Sequence, residues 1–192
     1  ASSDTTVASV SGSTLNLLKP GTATITGTFV PTDTSLAGTT ATFTMTIGLG
    51  NNVISFGSII GKTVTSGTFV ASGSASSGLA VAITSATNSV CTVSSGTVTL
   101  LSLGTCTLNA NQAGNTFYAA AAQVSQSFIV TAVTVALDSN YGTSTTRTQS
   151  LTTPAGANLL ANNFTRTGYT FTGWSTTAGG SVTHADAQAV AF

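Results

Sequence analysis

The chain has 192 residues, of which 4 are Lys or Arg and 4 are Asp or Glu, so its formal net charge is zero. Charged residues make up 4% of the sequence, against about 25% in an ordinary soluble domain. With no basic run to meet phosphates, neither nucleic-acid binding nor adhesion to an anionic membrane surface is expected.

Taken in chain order, the dominant hydrophobic period is two. Thr22-Ala23-Thr24-Ile25-Thr26, Thr42-Phe43-Thr44-Met45-Thr46-Ile47 and Val98-Thr99-Leu100 alternate and are punctuated by Gly. That pattern reads as half-buried strands. No window shows a capped amphipathic helix. The Ala run 119–122, between Tyr118 and Gln123-Val124, fits a loop entering a strand. The expected fold class is therefore all-β through about residue 132. Beyond it, 133–143 reads as a strand and a turn at Ser139-Asn140-Tyr141-Gly142. No apolar run reaches the 18 or more residues of a membrane span, and the stretch from Val53 to Ile60 is broken by Ser and Gly. No membrane insertion is expected in this segment.

An internal repeat runs through the first two thirds. Residues 7–25 align without gaps to 90–108, with 9 of 19 positions identical, among them Val7/Val90, Leu17/Leu100, Gly21/Gly104 and Thr24/Thr107. The register continues to Met45/Phe128 and Ile47/Val130. An offset of 83 residues matches one small β-sandwich. The second copy has strands upstream of residue 90 and the first has only six residues there. The expectation is three domains: the C-terminal half of a sandwich over 1–48, a complete sandwich over 49–132, and a small domain over 133–192. The first would be completed either upstream in a longer polypeptide or by another chain. The absence of an initiator Met and of a leader fits a processed or excised piece.

Cys91 and Cys106 are the only cysteines, one on each of two adjacent predicted strands. Their repeat counterparts are Ala8 and Ala23, so both are absent together from the first copy. A disulfide explains the joint absence; two free core thiols are the alternative. A bridge closing such a loop is worth about 3 kcal/mol in the chain-entropy model and belongs to an oxidising compartment. The spacing is not C-x-x-C, and no Lys or His lies nearby to lower a thiol pKa, so redox chemistry is not expected.

Residues 74–130 contain Ser76-Ser77-Gly78-Leu79, Ser89-Val90-Cys91-Thr92-Val93, Gly104-Thr105-Cys106-Thr107, and the run 109–115 leading to Tyr118. This stretch resembles bacterial Ig-like repeats of large secreted surface proteins, and 21–34 resembles the C-terminal half of a sister repeat. Over 7–132 the resemblance implies tandem Ig-like sandwiches displayed at a cell surface, with no catalytic residue. Farther on, Phe164, Arg166, Gly168, Tyr169, Phe171, Gly173 and Trp174 resemble the core motif of the Listeria–Bacteroides (internalin B-type) repeat. That resemblance implies a small β-grasp-like unit over 133–192; its usual last strand would follow the region of Val190, Ala191 and Phe192, where the sequence stops, so the unit is expected to lack that strand. Tyr169, Phe171 and Trp174 would supply its aromatic core, and Gly168 and Gly173 its turns or close backbone approaches.

The remaining candidates read blandly. His184 has no partner residues for a metal. Lys19 and Lys62 lack the buried acid that an intramolecular isopeptide bond needs. Asp138-Ser139-Asn140 lacks the Gly and terminal Glu of a calcium loop. Asn163-Phe164-Thr165 is a glycosylation sequon of a kind common by chance. Thr22, Thr24, Thr26 and Thr28 share one strand face, and Thr42, Thr44 and Thr46 another; such a face more often meets solvent than ice or polysaccharide. There is no Glu, and Asp4, Asp33, Asp138 and Asp186 are scattered, so no enzyme activity, cofactor or metal is expected.

The leading expectation is a structural segment of a bacterial extracellular adhesin-type stalk or fibre. Its partners would be neighbouring repeats or other copies of the same protein, with surface glycans as a further class. The alternative is a subunit of a self-assembling extracellular filament joined by strand complementation.

Overall fold

The computed structural model describes residues 1–190. Every regular element among them is a strand. In chain order these are β1 (Ala8–Ser11), β2 (Thr14–Leu17), β3 (Gly21–Phe29), β4 (Thr39–Ile47), β5 (Ile54–Ser55), β6 (Lys62–Thr63), β7 (Thr68–Val70), β8 (Ser74–Ala75) and β9 (Ala82–Ser85). There follow β10 (Cys91–Ser94), β11 (Thr97–Leu100), β12 (Gly104–Gln112), β13 (Ala121–Thr131), β14 (Val133–Asp138), β15 (Thr146–Leu151), β16 (Ala157–Asn158) and β17 (Ala189–Val190). The expected loop at the Ala run ends where β13 begins, at Ala121. Of the region that the expected last strand would follow, Ala191 and Phe192 lie outside the described residues.

The chain forms two compact units, the first made of 1–55, 74–81 and 111–123, and the second of 56–73, 82–110 and the residues from 124 onward. In the first unit, β1 and β2 form a hairpin with Ala8 opposite Leu17 and Val10 opposite Leu15. β3 and β4 form a second hairpin, with Ala23 opposite Met45 and Ile25 opposite Phe43. Period-two alternation sends these apolar residues to one face and the Thr residues to the other. Val7, Ala8 and Ala23 are buried, with Ile25, Met45 and Ile47 packed against them. The N-terminal residues run beside β3, where Ser2 bridges Ile25 and the Ser3 amide donates to the Thr24 carbonyl at 2.9 Å. The short strands β5 and β8 pair antiparallel.

In the second unit, β10, β11 and β7 form one sheet, and β6, β13, β12 and β9 another. Val98, Leu108 and Val130 are almost fully buried. Each such side chain contributes about 1.5–3 kcal/mol relative to leaving it in water. The Phe69 and Phe128 rings, one from each sheet, meet edge-to-face at 5.7 Å. Beyond Thr131, β14 pairs with β15, and β16 with β17. Their core is Leu137, Leu159, Trp174 and Val190.

Several hydrogen bonds of the first copy recur at the same offset in the second. The amides of Val7 and Ala8 both donate to the Asp4 carbonyl, at 3.2 and 3.0 Å; 83 residues on, those of Val90 and Cys91 donate to the Thr87 carbonyl, at 2.9 and 3.0 Å. The Leu18 amide reaches the Val7 carbonyl at 2.9 Å, as the Leu101 amide reaches that of Val90 at 2.8 Å. The Thr24 and Thr44 hydroxyls pair across the second hairpin at 3.0 Å, and their counterparts Thr107 and Ser127 pair at 2.8 Å. Equal hairpin lengths fix equal registers, so the match extends over both long strands.

Candidate functional site

The bridge between Cys91 and Cys106 is formed, with a Cα–Cα distance of 5.8 Å, inside the range disulfides span. Both residues are fully buried. The sequence places them on adjacent strands, but the structure places them in different sheets. β10 pairs with β11, while β12 belongs to the four-stranded sheet. The covalent link therefore joins the two sheets instead of reinforcing one ladder. Hydroxyls line the bridge, with Ser85 Oγ 3.4 Å from Cys91 Sγ.

The aromatic motif of the C-terminal segment divides into a buried and an exposed part. Trp174 is buried and its ring meets Phe164 at 6.0 Å and Phe171 at 4.9 Å, both edge-to-face. Tyr169 and Phe171 are exposed. The expectation that Tyr169 builds the core is thus corrected: the aliphatic side chains of Leu137, Leu159 and Val190 surround Trp174 instead. Tyr169 stacks on the Arg166 guanidinium at 3.6 Å from its ring centroid, and Tyr141 approaches the same cation at 4.4 Å. A cation held over two ring faces keeps both phenol rings on the surface. Gly173 takes φ +145°, and a Cβ there would strike the Val182 side chain and the His184 carbonyl. Gly168 takes φ +81° in open space, as a turn requires. The Trp174 indole Nε1 has no hydrogen-bond partner. It lies by a cleft of about 920 Å³ that Leu137, Asp138, Tyr141, Arg166 and His184 also line.

The scattered carboxylates serve turns. Asp4 accepts from the Thr6 hydroxyl and amide, at 2.6 and 2.8 Å, and these bonds hold its carboxyl below the usual carboxylate range. Asp33 does the same for the Ser35 amide and hydroxyl, and is lowered likewise. Asp138 accepts from the Ser144 hydroxyl and then the Asn140 amide, which lower it as well. It is a turn residue, with Asn140 at φ +48°. The Asp186 carboxylate accepts from the Asn162 amide at 2.7 Å. His184 Nδ1 lies 2.9 Å from the Thr183 hydroxyl. Among the described residues no three of His, Cys, Asp and Glu come together, and no helix is long and apolar enough to cross a membrane. Lys62 sits over the Phe69 ring at 5.1 Å. Asn163 of the sequon is exposed. The Thr faces pair with each other across the hairpin, as between Thr22 and Thr46 at 3.1 Å.

Sequence reasoning missed one buried polar pair. Asn52 Nδ2 donates to Gln112 Oε1 and to the Ala119 carbonyl, the latter at 3.2 Å, and Gln112 Oε1 also accepts from the Gly114 amide at 2.7 Å. Gln112 ends a strand whose inward positions are otherwise apolar, which was its only signal. The Tyr141–Arg166 contact, across 25 residues of chain, had none.

No family model, curated protein or solved structure matches the chain.

Proposed function

We propose that this chain is a structural repeat segment of a large bacterial extracellular surface protein, an adhesin-type stalk or surface fibre, whose role is mechanical spacing without catalysis. In this reading 1–48 is the C-terminal half of an Ig-like domain, 49–132 a complete Ig-like domain, and 133–192 a Listeria–Bacteroides-type β-grasp repeat. The observation that carries it is the repetition of one hydrogen-bond network at a fixed offset, with a buried disulfide joining two sheets in the second copy. Repeats of this kind serve extension, and a bridge between sheets resists their separation. A disulfide and a hydroxyl-rich, nearly uncharged surface suit an oxidising exterior.

The test is immunogold labelling of intact source cells with antibody to this chain, alongside the unreduced, denatured mass of the antigen. Surface label that protease shaving removes is the expected result. Label seen only after permeabilisation contradicts the reading. The alternative, a filament subunit completed by strands of another chain, is favoured by the exposed apolar face of the first hairpin pair.

A further inference from the structure

Tension reaches a repeat through the two points where its chain enters and leaves. In the second copy the entering segment, 56–64, lies beside the departing strand β13 and runs in the same direction. Lys62 pairs with Val130 and Thr63 with Thr131, in a parallel ladder. The Val64 amide donates to the Thr131 carbonyl at 2.8 Å, and the Val64 side chain is fully buried. Farther back, Gln126 Nε2 donates to the Phe56 carbonyl at 2.9 Å. Gly61 lets the two stretches close up, since a Cβ there would stand 3.3 Å from the Ile129 carbonyl oxygen. Lys62 Nζ sits over the Phe69 ring, which in turn meets Phe128 of β13. One more parallel pair is made as the chain arrives, where the Gly50 amide donates to the Phe117 carbonyl at 2.7 Å and the Ala119 amide to that of Gly50 at 2.9 Å.

Direction decides how such bonds fail. Pulling the chain draws 56–64 backward and draws β13, which passes into β14 at Val133, forward. Parallel neighbours pulled in this sense slide along each other, so their evenly spaced bonds are strained together. An antiparallel hairpin whose ends lie side by side is instead opened one rung at a time. β10 and β11, with Cys91 opposite Leu100, are of that kind. Neither cysteine belongs to 56–64 or to β13. While the parallel patch holds, tension passes across it and bypasses the loop that the bridge closes.

We propose, resting on the spacer reading above, that the patch between 56–64 and 126–131 is a shear clamp that sets the force the second copy withstands. The Cys91–Cys106 bridge takes up tension only after the clamp has slipped, and it then limits how far the opened copy extends. Strength and reach are thereby held by different residues. Hydrogen bonds to β13 fix the first, and the disulfide fixes the second.

The test is constant-force pulling of the full chain, oxidised and reduced, unaltered and with single substitutions. The step that reports the second copy is the one that lengthens on reduction, because the chain's only cysteines lie in it. The wait before that step follows the unfolding rate rather than equilibrium stability. Gln126→Leu removes one bond of the clamp and is expected to shorten the wait about fivefold, the effect of one ordinary hydrogen bond lost at the barrier. Val64→Pro, which deletes the amide that meets Thr131, should shorten it further; if that variant does not fold, Gln126→Leu carries the test alone. Val93→Ala, half-buried on the β10–β11 hairpin, should lower the urea midpoint and leave the wait unchanged. Reduction should leave the wait unchanged as well. The proposal is overturned by a wait that Gln126→Leu does not alter, by one that Val93→Ala shortens as much, or by one that reduction shortens several-fold. Each of these outcomes leaves the spacer role standing, since that role is read by surface labelling.

Discussion

Gly21 and Gly104 occupy the same place in the two copies and share the same unusual backbone, with φ +150° and +128°. A Cβ at Gly21 would strike Val7, and one at Gly104 would sit 3.4 Å from Val90 in a conformation side chains rarely adopt. Gly104→Ala is expected to cost about 1–2 kcal/mol, measured by urea denaturation of the oxidised chain. The neighbouring turns show the opposite opportunity. In the second copy the β10–β11 hairpin turns through Ser95 and Gly96 at φ +48° and +79°, the pattern of a type I′ turn, whereas its counterpart β1–β2 in the first copy turns through Gly12 at +59°. Asn tolerates positive φ better than Ser, so Ser95→Asn should stabilise by about 0.5–1 kcal/mol, read as a higher denaturation midpoint. The three lowered carboxyls make their own turns sensitive to acid. A carboxyl depressed by native hydrogen bonds contributes stability above its unfolded pKa, which is lost as pH falls through the folded value. The turns at Asp4, Asp33 and Asp138 should therefore hold at neutral pH and loosen below about pH 4. Amide chemical shifts of Thr6, Ser35 and Asn140 should move together in that window, and Asp138→Asn should flatten the Asn140 response alone.

At the scale of elements, the sequence was legible where side chains alternate. The register of the long hairpins follows from Thr on one face and Ala, Ile, Phe and Met on the other, because a slip of one residue would turn every apolar group to water. The repeat offset was legible for the same reason, since Val7, Leu17 and Gly21 answer to fixed backbone positions. The pairing of Cys91 with Cys106 was readable from its joint absence in the first copy. That it ties two sheets was not, because strand order within sheets depends on contacts distant in sequence, such as β7 on β11. Nor was the exposure of Tyr169 readable. Its partner Arg166 lies three residues away, but the aliphatic groups that displace it from the core come from Leu137, Leu159 and Val190. Reduction tests the bridge at this scale. Cys91→Ala with Cys106→Ala restores the pair that the first copy carries naturally, so the fold should survive with about 3 kcal/mol less stability. Loss of all β structure in that variant, seen by far-ultraviolet circular dichroism, would mean that packing alone cannot hold the second copy.

Over the whole molecule, the paucity of charge and the richness in hydroxyls were plain from composition, and they bear on setting more than on any ligand. The proposed role rests on repetition and covalent reinforcement. Its most direct measurement is single-molecule pulling of the full chain, oxidised and then reduced. With the bridge closed, the loop between Cys91 and Cys106, a sequence separation of 15, is withheld from extension, and its ends are already 5.8 Å apart. Reduction should release about 45–50 Å of further contour length within a resolved force peak. A chain that extends without a force peak, or by the same length in both states, would contradict the mechanical role.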